Sequence, residues 1–148
     1  MADTPAVNPL SSPRPDREWQ RLWFSLRAYE WRSLAILGIE GASQAEQAAQ
    51  RLIAVAFEDE KTPVAEINAL GMSYQEAIGV ASTLQLAGQP LTLVTCDAPD
   101  VNPAMIPIVQ AVTGIVVVVR LGETRLDAVK RTLDVVGRDK ILATVTVG

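Results

Sequence analysis

The sequence predicts an α/β fold, a three-layer sandwich built on a mainly parallel five-stranded sheet. Three observations predict it. Short apolar runs alternate with helical patterns about five times along the 148 residues, the arrangement that yields a parallel sheet covered on both faces. The run Ile115-Val116-Val117-Val118-Val119 is apolar on both faces, as a strand lying between two helix layers must be. Hydrophobic residues make up 49% of the chain, enough for one core of the size this length supports.

The elements follow in order. Residues 1–15, rich in Pro and small residues, predict a disordered tail without the basic-then-apolar pattern of a signal peptide. Residues 16–148 then form one domain. Residues 16–30, DREWQRLWFSLRAYE, predict a helix, because Trp19, Leu22, Trp23 and Leu26 follow a helical spacing. Its tryptophans suit packing on the chain's own domain; they also suit a contact with a partner, where tryptophan is enriched. SLAIL (33–37) predicts a buried strand, and residues 44–57 a helix with Ala48, Leu52, Val55 and Ala56 on one face. Residues 62–67 predict a short strand and 74–86 a helix stopped by Gly88. LTLVTC (91–96) predicts a strand, and 103–112 a helix with Pro near its start. Residues 115–119 are the next strand, 125–136 a helix with Gly137 behind it, and 141–147 a last strand.

Composition excludes several kinds of chemistry. The chain has no His and one Cys, so histidine catalysis, His or multi-Cys metal sites and an internal disulfide are out. The net charge of −4 disfavours nucleic acid as a partner. The longest apolar run, GIVVVV, is strand-sized, so no direct membrane insertion is expected, and a cytoplasmic location fits.

In sheets of this type ligands sit at the carboxyl ends of strands. Two loops qualify: GIEGASQA after the first strand, and Asp97-Ala98-Pro99-Asp100 after LTLVTC. The first occupies the place of a phosphate-binding P-loop, whose pattern is GxxxxGK[ST]. Gly38 supplies the first glycine and Gly41 lies within the loop. The second glycine is replaced by Ser43, the lysine by Gln44 and the hydroxyl residue by Ala45.

Taken with the other segments, this loop resembles the cytoplasmic P-loop domain of bacterial tyrosine kinases of capsule and exopolysaccharide synthesis, a branch of the ParA/MinD-like ATPases. The similarity runs in order from about Glu18 to Val147. That family carries an N-terminal ExxRxxR helix for ring-like self-association; Glu18 and Arg21 match it, and Phe24 replaces the second arginine. Its second motif, a strand ending Asp-x-Asp, meets Asn68 and Leu70. Its third, a strand ending Asp-x-Pro, is matched by Asp97 and Pro99. The segment from Thr113 to Val147 resembles the family's strand, Arg, loop, helix and final strand. The resemblance implies a truncated P-loop NTPase fold of the ParA-like type, shortened between the second and third motifs.

The departures carry the functional expectation. Phosphoryl transfer depends on charge neutralisation by the loop lysine and Mg²⁺. Gln44 is neutral, Ala45 cannot ligate a metal, and Glu40 and Glu46 add negative charge. Asp97 can reach Mg²⁺ through water or simply shape the turn with Pro99, as Asx side chains do. Cys96 lacks a histidine to activate it. Neither ATP nor Mg²⁺ is therefore expected as a cofactor, and no catalytic residue is assigned. The resemblance then implies a non-catalytic kinase-like protein of polysaccharide synthesis and export that works by binding. Its partner would be a second copy, an active kinase-like homologue, or the cytoplasmic part of a membrane chain-length regulator that recruits it to the inner membrane. Glu18, Trp19, Arg21, Trp23 and Phe24 are the candidate contact residues. Two alternatives stand beside it: a ParA/MinD-like regulatory adaptor outside polysaccharide synthesis, and a residual weak nucleotide binder.

Overall fold

A computed structural model describes residues 15–39, 42–120 and 125–147 of the chain, with the side chains of Asp16, Ala42 and Ser43 and the ring of Pro15 excepted. The expected tail up to residue 14 lies outside the described residues. So do Glu40 and Gly41 of the first loop.

Five strands form one parallel sheet: β1 (Ser33–Gly38), β2 (Ala65–Asn68), β3 (Thr92–Asp97), β4 (Gly114–Arg120) and β5 (Ile141–Val147). Their order across the sheet is β2-β3-β1-β4-β5. Every ladder is parallel, so the sheet expected to be mainly parallel is wholly so. The helices are α1 (Pro15–Arg27), α2 (Ala42–Glu60), α3 (Tyr74–Leu84), α4 (Ile106–Ala111) and α5 (Leu126–Val136). A 3₁₀ turn (Pro103–Met105) leads into α4 and another (Arg138–Lys140) into β5. Among the described residues no helix is long and apolar enough to cross a membrane.

The helices sort onto two faces because strand residues alternate. Leu34 and Ile36 of β1, Leu93 of β3, and Val116 and Val118 of β4 join one core with α1 and α2. Ala35, Leu37, Val94, Cys96, Ile115 and Val117 point the other way, into a core with α3, α4 and α5. The burial of every residue of β1 is the signature of a central strand covered on both sides. On α2 the buried positions Ala45, Ala48, Ala49, Leu52, Val55 and Ala56 make one helical stripe. Its alanines let the helix lie close to the sheet.

Helix ends are set by local chemistry. Ser73 caps α3: its hydroxyl accepts from the Glu76 N–H at 3.2 Å, and the Glu76 carboxylate accepts from the Ser73 N–H at 2.9 Å. The Ser73 backbone N–H, and after it the Ser73 side chain, hold the Glu76 carboxyl below its ordinary pKa. α2 stops where Lys61 turns left-handed (φ 54°) and the N–H groups of Lys61 and Thr62 bond back to Phe57 and Ala56. That turn, with Pro63 behind it, delays β2 to Ala65, three residues later than the sequence pattern suggested. The expected helix over 103–112 is two pieces: Asn102 caps the 3₁₀ turn by accepting from the Ala104 N–H, and Pro107 opens α4. At the start of β4, Gly114 sits against Leu34 and Leu142, whose methyl carbons lie 2.8 and 2.7 Å from the place of a Cβ. Only glycine lets β1, β4 and β5 come together there.

Candidate functional site

β1 and β3 are neighbours, and their register pairs Gly38 with Asp97. The two loops singled out in the sequence therefore leave the sheet side by side. The chain leaves β1 into α2 on one face and leaves β3 into α4 on the other. Such a divergence opens the crevice in which ligands of these sheets sit.

The residues that reach this edge are bound into the protein itself. Asp97 accepts from the Gly71 backbone N–H at 2.9 Å and from the Asn102 side-chain amide at 3.1 Å, both on one carboxylate oxygen. Gly71 has φ 72°, so a residue with a side chain would be strained in the turn that presents its N–H. Asp97 thus ties the end of β3 to the β2–α3 turn and to the cap that starts the 3₁₀ turn. Pro99 is buried beneath this corner. Asp100 accepts from the Thr132 hydroxyl at 3.0 Å and lies 3.5 Å from the Arg131 guanidinium, which also bonds Asp127 at 3.0 Å. That bond holds the Asp127 carboxyl low and raises the Arg131 guanidinium.

The position where the related motif has its first aspartate is equally occupied. Asn68 accepts from the Leu70 N–H at 3.0 Å and donates to the Glu46 carboxylate at 2.8 Å. An aspartate there would face Glu46 as a like charge. Glu46 is the fifth residue of α2, past its first turn. Gln44, in the place of the P-loop lysine, is 6% exposed, and Ala45, in the place of the hydroxyl residue, is fully buried. Gly38 ends β1. The Ser43 side chain lies outside the described residues, as does Gly41.

Glu46, Asp97 and Asp100 are thus each engaged within the protein, with Arg131 held by Asp100 and Asp127, and Arg120 ends β4 at the same edge. A triphosphate needs the opposite, several donors and cations converging on its oxygens. Backbone N–H groups at the start of α2 favour an anion; Gln44 and Ala45 add no charge to them.

Cys96 is buried at the end of β3, and its thiol is pushed up to about 12, first by burial and then by the Asp97 charge. The reactive form is the thiolate. We expect native Cys96 to stay unmodified by a disulfide-exchange reagent at pH 8 over hours, and to react within minutes in denaturant. The shift also carries a sign. The folded pKa lies above the unfolded value of 9.0, so the thiol contributes no pH dependence below about 9. Stability then falls as pH rises from there toward 12. Rapid native labelling would show that the corner opens.

On α1 the five candidate contact residues divide. Trp19, Trp23 and Leu26, spaced i, i+4, i+7, are buried in the chain's own core. Trp31 meets Trp23 edge-on at 5.8 Å. The two tryptophans expected at a partner surface thus pack inside the domain, because the helix turns its single apolar stripe toward α2. Glu18, Arg21 and Phe24 face outward; Glu18 and Arg21 pair at 3.7 Å, and Phe24 is 48% exposed.

No model of a known protein family matches the chain, and comparison with curated proteins finds no match.

Proposed function

We propose that this chain is a non-catalytic, kinase-like partner or regulator in exopolysaccharide or capsule biosynthesis and export, acting by protein–protein binding. The order of its motifs, from Glu18 to Val147, supports the kinship with the P-loop domain of polysaccharide tyrosine kinases. The observation that carries the loss of catalysis is at the carboxyl edge. Asp97, the one acidic residue kept at a motif position, accepts from Gly71 and Asn102 on one carboxylate oxygen, while Gln44 brings no charge and Ala45 no metal ligand to the loop.

Binding then falls to the surface, and the outward side of α1 with Glu18, Arg21 and Phe24 is the first contact surface to consider. Its partner is another copy, an active homologue, or the cytoplasmic end of a membrane chain-length regulator.

Isothermal titration of the folded protein with Mg-ATP and Mg-ADP tests the reading. At protein concentrations near 0.1 mM no saturable heat is expected. Saturable binding tighter than about 1 mM, roughly −4 kcal/mol, would overturn it and restore the nucleotide site.

A further inference from the structure

The two edges of the sheet are treated differently. β2 is four residues long and carries the exposed Glu66 and Asn68. Lys61 and Pro63 precede it. A short, charged edge behind a proline resists pairing with another chain. β5 has one irregularity, an extra residue at Leu142 where its ladder with β4 shifts register, and beyond it none of these devices. It runs seven residues, Ile141-Leu142-Ala143-Thr144-Val145-Thr146-Val147, without a charge, a proline or a glycine. Among the described residues it pairs only with β4. Its β-branched residues favour an extended backbone. Such an edge is a template for another strand.

Beside it runs a groove of about 320 Å³, between β5 and α1, lined by Trp19, Leu22, Ser25 and residues 144–146. Glu18 and Arg21 also line it. A surface that meets its own copy about a two-fold axis must be self-complementary, and this one carries one charge of each sign at its rim. In the wall of the groove the Trp19 indole N–H is buried with no acceptor among the described residues. A donor left so is unfavourable by about 1–3 kcal/mol, and a contact that brings an acceptor to this wall relieves it.

We propose that β5 is a self-association edge: it pairs antiparallel with β5 of a second copy of this chain, joining two five-stranded sheets into one of ten, with the groove beside α1 closed by the copy. The inference stands apart from the pathway proposed above and holds whatever that pathway is. It also differs from a contact made by α1 alone.

The test is the mass of the full-length protein by sedimentation equilibrium from 1 µM to 1 mM, for the wild type and for Thr144→Lys/Thr146→Lys. Both threonines are exposed, so the folded copy tolerates the change. Pairing would gather four lysines on one face, where like charges oppose each other across strands. The wild type is expected to dimerise with concentration, and the double variant to raise the dissociation constant at least tenfold. Deuterium exchange of the wild type supplies a reading that needs no variant: amides of residues 141–147 should slow as concentration rises. A wild type that stays monomeric at 1 mM overturns the proposal. So does a dimer that survives the lysines but dissolves in Glu18→Ala/Arg21→Ala, or exchange in β5 that ignores concentration.

Discussion

Trp23→Ala lowers stability by about 3–5 kcal/mol, the range found when a buried large aromatic is truncated. Trp23 is 0% exposed and is held by more than its area. Its ring meets Trp31 edge-on, its indole N–H donates to Glu60, and the Arg27 guanidinium lies over it at 5.7 Å. Arg27 also pairs with the same Glu60 at 3.3 Å. One side chain thus fastens α1 to the far end of α2. Against a total of about 5–15 kcal/mol for a typical domain, the loss is a large share. At about 2–4 °C per kcal/mol for a chain of this size, the melting temperature should fall by roughly 6–20 °C. Trp23→Phe keeps the ring but drops the bond to Glu60, and should lose less than half as much. Urea unfolding followed by near-ultraviolet circular dichroism measures both. A loss below 1 kcal/mol for Trp23→Ala would mean that α1 is an arm and not part of the core.

That division of α1 marks how far the residue pattern reaches. Spacing placed Trp19, Trp23 and Leu26 on one helix face, but a stripe suited to a core is equally suited to a partner. Only α2, reached through tertiary packing, decides between them. The strands were legible because their runs are apolar on both sides, which leaves few alternatives to a parallel sheet; all five stand within three residues of their expected places. The Ser73-Tyr74-Gln75-Glu76 capping box fixes the start of α3, although the expectation of a helix from 74 did not rest on it. The role of Asp97 was not. Its partners are Gly71, 26 residues earlier, and Asn102, and no local pattern joins them. Nor did the sequence foretell that Asn68 and Glu46 share a bond across 22 residues. That pair joins the end of β2 to the start of α2.

The carboxyl edge and the β5 edge use their polar groups differently. At the carboxyl edge the polar groups are spent on one another, through Asp97, Asn102, Asn68, Glu46, Asp100 and Arg131. At β5 the backbone has no neighbour beyond β4 among the described residues.

Gln44→Lys tests whether any of the phosphate cradle remains. The position is 6% exposed. In a working P-loop the lysine charge is answered by phosphate; here the ammonium would enter a buried place without that partner. The expected loss is about 3 kcal/mol or more, as for other uncompensated buried charges. The sign with pH follows. Burial lowers the folded pKa of the new lysine below its ordinary value near 10.4. Between the two values the unfolded chain binds the extra proton, so the deficit relative to wild type should shrink as pH rises from 7 toward 10. Mg-ATP at 5 mM should leave the melting temperature of the variant within 1 °C, because Ala45 still offers no metal ligand and Glu46 and Asp97 still face the edge. A ligand present at 100 times its dissociation constant would stabilise by about 2.7 kcal/mol, several degrees here. A shift of that size in Gln44→Lys, absent in the wild type, would mean that one residue separates this loop from nucleotide binding and that the rest of the cradle is intact. Its absence, with the pH dependence present, would mean that a cation at 44 is not enough to make this loop bind nucleotide.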